Sequence, residues 1–319
     1  MTRLRVIVVA VAALVAANSG ALAQAFPSQR VTIVVPFTAG SITDGLARIL
    51  AEKLADLWKQ QVIVENRPGI PGTTAVAKAT PDGYTLMLTS NGHTIAAAIS
   101  KSLQYDPVKD FAGISQVASV PLVAVVPPDL PVKSIKDFIA LANQKPGQLN
   151  FSSAGVASTT YLSAEIFKQN AKINIVHLPY RGLPEATTAV IRGDSQLIFA
   201  AIPAAQELSA TNKVRALAVN SAQRVPQFPD LPTIAEAALP DYKYDSWFGV
   251  LAPAATPKPI VAKISADIAK VLDLADVKER LLAQGSIPAA NRPDQLDATI
   301  KADTERYTRI LKDAGVEPQ

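Results

Sequence analysis

No cysteine occurs in the chain. Its absence excludes a disulfide framework, a thiol nucleophile, a cysteine metal site and a lipid-modified cysteine tether. Histidine occurs only at His93 and His177, far apart and without metal-ligand spacing. Aromatic residues are sparse and no Lys/Arg cluster stands out, so no nucleic-acid partner is expected. The formal charge of +4 falls to about +2 when Arg3 and Arg5 are subtracted with the N-terminal segment discussed below. A slight basic excess is compatible with an anionic ligand without showing one. A GxSxG elbow, an HExxH helix and a tight carboxylate pair are missing too, so a hydrolase or lyase has little support. The expectation is a protein that is not an enzyme and needs no cofactor or metal.

What is present begins at the N-terminus. Arg3 and Arg5 are followed by an almost wholly apolar run, Val6 to Ala17, and then by Ala21-Leu22-Ala23, with small residues at its first and third positions. That order is that of a secretory signal cut after Ala23. The run is too short to span a membrane, which takes ~20 residues. No later segment stays apolar long enough either. Without disulfides, stability must come from a buried core. A mature chain of about 300 residues buries about three quarters of its unfolded surface and usually divides into two domains.

Short β-rich runs alternate with helical ones. Val31 to Val35, Val62 to Glu65 and Tyr84 to Leu88 read as strands, with a helix from about Asp44 to Trp58 and a shorter one around Thr74 to Ala79 between them. This order implies a parallel sheet. The middle repeats the pattern. Strands are expected at Leu122 to Val126, Leu149 to Ser152, Ile173 to His177, Gln196 to Phe199 and Val214 to Val219, and helices at Ser134 to Asn143, Ser158 to Asn170 and from Pro184 to about Arg192. A further strand, Ser246 to Ala252, precedes three helices at about Pro259 to Leu272, Asp276 to Gln284 and Asp294 to Ala314. Folding these back on the first unit would bury their apolar faces and make that unit discontinuous.

Two strand-to-helix loops could carry chemistry. In the first, Pro36 to Asp44, Gly40 allows a tight backbone and Ser41 or Thr43 can cap the helix. Such a junction aims free N–H groups at one spot, with the positive end of the helix dipole behind them, and so makes an anion site. The small-residue loop from Ser153 to Ser158 has the same design. In open α/β sheets ligands lie beyond the carboxyl ends of the strands, where both loops fall. Caps and turns alone also account for each loop taken singly.

At these residues the chain resembles the substrate-binding proteins of tripartite tricarboxylate transporters, the Bug family. The ordered motifs are Pro36-Phe37-Thr38-Ala39-Gly40 with Thr43-Asp44; Val64-Glu65-Asn66-Arg67-Pro68-Gly69; Pro81-Asp82-Gly83-Tyr84-Thr85-Leu86; Phe151-Ser152-Ser153-Ala154-Gly155; Pro179-Tyr180-Arg181-Gly182; Pro229-Asp230-Leu231-Pro232-Thr233; and Trp247 to Pro253. The resemblance implies an α/β, two-lobed periplasmic-binding-protein-like fold (Venus flytrap, type II), each lobe a mixed sheet flanked by helices. Residues 24–120 with 247–319 would form one lobe and 121–246 the other, hinged near Ser119 to Leu122 and before Trp247. It also implies a small carboxylate held by Phe37, Ala39, Gly40, Ser41 and Thr43 of one loop and by Ser153, Ala154, Gly155, Ala157 and Ser158 of the other. Ser90, Asn91, Tyr180 and Ala201 would line the rest, and Asp44 would order the first loop. The implied partner is a membrane permease. A protein without a lipid tether is useful to it only behind an outer barrier, so a monomer in the bacterial periplasm is expected. A flytrap feeding a sensor kinase is the alternative, since both use ligand-biased closure.

Two departures from the family pattern bear on the ligand. Ser41 stands where a second glycine is common, and Ala200-Ala201 where many members carry an acid. Without that acid an amino-acid ammonium loses a partner, so the expected ligand is a carboxylate without an amino group, a dicarboxylate or an aromatic acid among them. Elsewhere the plainer readings are structural. His177 reads as a strand-end residue, Trp58 as packing, and Arg67 as a clamp on its turn through Glu65 or another acid. Arg181 carries the same two readings as Arg67, clamp or carboxylate anchor, and Trp247 is either core or cleft wall.

Overall fold

The computed structural model describes residues 26–155, 158–242, 244, 246–313 and 315–318. The expected signal, residues 1–23, lies outside them. Among the described residues no helix is long and apolar enough to cross a membrane.

The first elements follow the expected order: β1 (Val31–Val35), α1 (Ile42–Trp58), β2 (Val62–Asn66), α2 (Ile70–Ala77) and β3 (Thr85–Ser90). β1 pairs in parallel with both β2 and β3. A 3-10 turn, Asn91–Ile95, and the short α3 (Ala96–Ile99) follow. Then comes β4 (Phe111–Ser119), which the sequence pattern does not reveal. Its Gly113, Ser115, Gln116 and Ser119 interrupt the apolar run, yet nearly the whole strand is buried, so no alternation marks it.

β1, β2 and β3 are parallel as their order implies, and the whole sheet is mixed, as the resemblance implies. β10 (Trp247–Pro253) inserts between β3 and β4, antiparallel to both. It re-enters from the second lobe at the end where β3 leaves, and therefore runs backwards. With the two-residue β11 (Ile287–Pro288) the strand order is β11-β4-β10-β3-β1-β2. Period-two alternation divides the packing. Val31, Ile33 and Val35 bury against Leu46, Leu50 and Leu54 of α1, and against Ile264 and Ile268 of α9 (Lys258–Asp273) and Leu281 of α10 (Ala275–Ala283). Val34 and Met87 face the other way, toward Val76, Trp247, and Leu296 and Ile300 of α11 (Pro293–Asp313). Both tryptophans are core residues whose Nε1 donates to a carboxylate, Trp58 to Asp267 and Trp247 to Asp303, each at 2.8 Å.

The second lobe contains β5 (Leu122–Val126), α4 (Ile135–Gln144), β6 (Asn150–Ser153), α5 (Thr159–Ala171), β7 (Val176–Pro179), α6 (Leu183–Arg192), β8 (Ile198–Ala201), α7 (Ile202–Ala210), β9 (Arg215–Val219) and α8 (Ile234–Ala237). Here too parallel and antiparallel pairs are mixed. β6 and β7 are parallel, but β5 lies between β8 and β9 and is antiparallel to both. The chain passes almost directly from β4 into β5, so β5 enters against the direction of its neighbours. Phe138, Phe151, Phe167 and Phe199 fill one core of this lobe.

Two strands of chain cross between the lobes, and they are bonded to each other: Val120 N donates to Ser246 O at 2.8 Å. Asn220 clamps the far end, its Oδ1 accepting from Leu122 N at 2.7 Å and its N donating to Leu122 O at 2.9 Å. α11 departs from the expectation of helices folded back on the first unit. Leu296 and Ile300 pack on the six-stranded sheet, whereas Tyr307 and Leu311 join the phenylalanine core of the second lobe. Leu296→Ala and Leu311→Ala should therefore each lower unfolding free energy by about 2–5 kcal/mol. Leu282→Ala, at an exposed leucine, should change it by about 0.5 kcal/mol or less. Urea unfolding of the three variants checks this.

Candidate functional site

The first loop is built around the start of α1. Ser41 is its N-cap, in extended conformation (φ −70°, ψ 161°), and its hydroxyl accepts from Asp44 N at 3.2 Å. Gly40 adopts φ +79°, which a side chain would strain. Its N–H donates to Asp44 Oδ2 at 2.9 Å. Asn66, at the end of β2, donates from Nδ2 to Asp44 Oδ1 at 3.0 Å and to Phe37 O at 3.2 Å. Arg48 completes the cluster, with Nε 3.0 Å from Asp44 Oδ2 and Nη2 3.0 Å from Oδ1. Burial by itself would raise the Asp44 carboxyl; the bonds from Arg48, Gly40 and Asn66, with the Arg48 charge, outweigh it and hold the group below its ordinary range.

These bonds decide which amides are left for a ligand. Gly40 N is taken by Asp44, Ser41 N by Thr38 O, and Asp44 N by the cap. Ala39, Ile42 and Thr43 donate to nothing among the described residues. Ile42 and Thr43 are the first two helical positions, whose N–H groups have no acceptor inside the helix. Ala39 and Gly40 are exposed and Thr43 is buried.

The second loop is held differently. Ser158 caps α5, accepting from Tyr161 N at 3.2 Å and donating to Gly155 O at 2.6 Å. Ala154 N donates to Thr160 Oγ1 at 3.0 Å, and Gly155 (φ +101°) donates to Ser153 Oγ at 3.1 Å. Ser153 is fully buried, and its hydroxyl lies 2.7 Å from His177 Nε2. The His177 ring is wedged between Phe151 and Tyr161, with centroids 4.9 and 4.7 Å away. Burial, with the nearby Lys168 charge, pushes its pKa down to about 4, so it is neutral at pH 7. Among the described residues the amides of Thr159 and Thr160, again the first two helical positions, donate to nothing. Ala157 lies outside the described residues.

Sequence reasoning missed the part played by His177. Expecting the strand three residues too early put His177 at its end, whereas the observed register pairs Phe151 with His177 and Ser153 with Pro179. Thr159 and Thr160 were within reach of the capping rule, since Ser158 is the last residue before the helix. Arg67 does clamp its turn, with Nε 2.6 Å from Glu65 Oε1. No such ion pair forms at Arg181, whose backbone N–H donates to Glu185 Oε2 at 3.4 Å.

Of the remaining expected residues, Ser90 is buried and accepts from Gly92 N at 3.3 Å. Asn91 reaches Tyr244 OH at 3.0 Å, and Tyr244 in turn donates to Thr159 O at 3.4 Å. This relay ties the turn after β3 to the start of α5. Tyr180 N donates to Ser153 O at 3.0 Å, and its side chain lines a surface groove with Pro184, Thr188 and Arg192. Ala201 ends β8, opposite Leu122 at the lobe crossing. No hydrogen bond joins residues 37–44 to residues 153–160 among the described residues.

Beside the first loop, Pro36, Phe37, Gly69, Ile70, Thr73, Thr89, Gly92, His93, Ala96, Ile99 and Tyr105 line a half-open pocket of about 210 Å³. His93 Nε2 lies 2.8 Å from Pro107 O, and burial lowers the pKa of the ring to about 4 against the effect of that bond. Among the described residues no group of three or more His, Cys, Asp or Glu could hold a metal ion.

Comparison with known proteins adds the following. The family described as tripartite tricarboxylate transporter family receptor matches residues 46–316. Protein BugT of Bordetella pertussis is 32% identical over 320 residues, 99% of this chain and 98% of its own. The R. palustris protein Rpa4515, solved with adipate, superposes with a TM-score of 0.80 at 34% identity, covering 92% of this chain and 100% of that one. The periplasmic binding protein BugD gives 0.79 at 31% identity, with the same coverage. These neighbours have the two-lobed solute-binding fold expected from the sequence.

The Asp44 cluster makes a prediction. Asp44→Ala leaves Gly40 N, Asn66 and Arg48 without their acceptor and should lower unfolding free energy by about 1–3 kcal/mol at pH 7. A carboxyl held below its unfolded value contributes stability above that value, 3.8, and loses it as pH falls through the lower folded value. The gap between wild type and variant should therefore narrow below about pH 4. Urea unfolding at a series of pH values measures it.

Proposed function

The chain belongs to the tripartite tricarboxylate transporter receptor family, and on that premise we propose that it closes its lobes on a small carboxylate without an amino group and delivers it to the membrane subunits of a tripartite transporter. It does so as a monomer in the periplasm, after cleavage of its signal, and without catalysing a reaction. We draw the lobes at residues 24–120 with 247–319 and at 121–246; the bond from Val120 to Ser246 at the crossing supports those limits.

The observation that carries this reading is the set of unspent amides at Ala39, Ile42 and Thr43, with the dipole of the 17-residue α1 behind them. Thr159 and Thr160 repeat it at the second loop. Ligand bonded to both helix starts favours the closed state through its differential affinity for that state. The preference against an amino group rests on Ala200 and Ala201, which leave an ammonium without an acid at the end of β8. Adipate, bound by the R. palustris relative, is also an acid without an amino group.

A thermal-shift panel of carboxylates and their matched neutral amides tests the reading. A bound acid at ~100 times its dissociation constant should stabilise by about 2.7 kcal/mol, and its amide by far less. Equal shifts from acid and amide, or none from any acid, would refute it. Ile42→Pro is the sharper variant. Proline at the first helical position removes one N–H while keeping the helix, and the extended Ser41 before it tolerates proline. Affinity should fall about tenfold with the fold retained.

A further inference from the structure

The cavity beside the first loop holds no charged side chain. Its polar groups are hydroxyls at Thr73, Thr89 and Tyr105 and the imidazole of His93; Phe37 and Ile99 supply apolar wall. Neither titratable group supplies a charge at neutral pH. The carbonyl oxygen of Pro107 only accepts, so the proton of the neutral His93 ring sits on Nε2. The Tyr105 phenol, bonded to Thr73, is pushed above its ordinary value by burial. The cavity also shares a wall with the loop that presents the unspent amides, because Phe37 stands two residues before Ala39, at most ~7 Å along the chain.

We propose that this cavity takes the body of the ligand and restricts it to monocarboxylates with an uncharged, largely apolar body no larger than a single ring or a six-carbon chain. The proposal rests on the reading that the amides of the first loop hold a carboxylate. The size matches the volume inside the half-open pocket: about 150 Å³ of apolar cavity holds benzene, and about 210 Å³ is available here. Charge selection follows from desolvation. A second carboxylate carried into the cavity would lose its water and meet no cation, a cost that a methyl group in the same place does not incur. The neutral donors and acceptors of Thr73, Thr89, Tyr105 and His93 leave room for a hydroxyl or keto group on that body.

Hexanoate and adipate are a matched pair, equal in length and different by one terminal carboxylate. Titration calorimetry on the full mature chain should show hexanoate and benzoate binding at least ~10-fold tighter than adipate. Adipate equal to or tighter than hexanoate overturns the assignment of the cavity while leaving carboxylate capture standing. Failure of every acid to bind overturns both. Ile99→Arg places a cation at the half-buried edge of the cavity and should shift the ratio toward adipate by ~10-fold or more. An unchanged ratio in a variant that melts within a few degrees of wild type also overturns the assignment.

Discussion

The first loop depends on one buried carboxylate. Asp44 takes the N–H of Gly40 and the amide of Asn66, and so fixes the backbone at the start of α1. An acid there carries an electrostatic cost for the anion proposed to bind at this loop. Arg48 balances it from one turn along the same helix, and the pair is locally neutral. What remains is the positive end of the helix dipole and the amides that neither Asp44 nor Ser41 consumes. The carboxylate shapes the site without entering its charge balance.

The second loop reaches a similar end without charge. Ser158 and Thr160 hold the backbone through hydroxyls, and Ser153 is pinned by a neutral histidine between two aromatic rings. A protonated His177 would add a fixed cation beside the loop, but its burial opposes that. Acid therefore affects the two loops by different routes. Protonation of Asp44 removes an acceptor from the first, whereas protonation of His177 would have to overcome desolvation in the second.

Local chemistry was legible in the sequence where it is local in the chain. Ser41 as a cap, Asp44 in the first turn beside Arg48 and the Glu65–Arg67 clamp rest on contacts within four residues. So do the helix faces of α1, α9 and α10, because 3.6-residue periodicity marks them. Features that depend on another part of the chain were hidden. His177 acts through a parallel register set by β6, and β4 is buried on both sides and so shows no alternation. Which strands run antiparallel was hidden for the same reason. β5 and β10 take their direction from where the chain crosses between lobes, which no run of residues encodes locally.

The lobe crossing sets limits on how the two halves can move. A pair of connecting strands bonded at Val120 and Ser246 can twist as a ribbon, but α11 adds a third link of a different kind. Its Ile300 belongs to one core and its Tyr307 to the other, ~10 Å apart along a continuous helix at 1.5 Å per residue. A large opening must move one set of these side chains relative to its core, exposing buried apolar surface. The relay from Asn91 through Tyr244 to Thr159 would be stretched by the same motion. A rotation that leaves α11 seated at both ends, with its axis near the ribbon and the helix, avoids that cost. The start of α5 sits close to that axis, since Tyr244, two residues before Ser246, donates to Thr159 O.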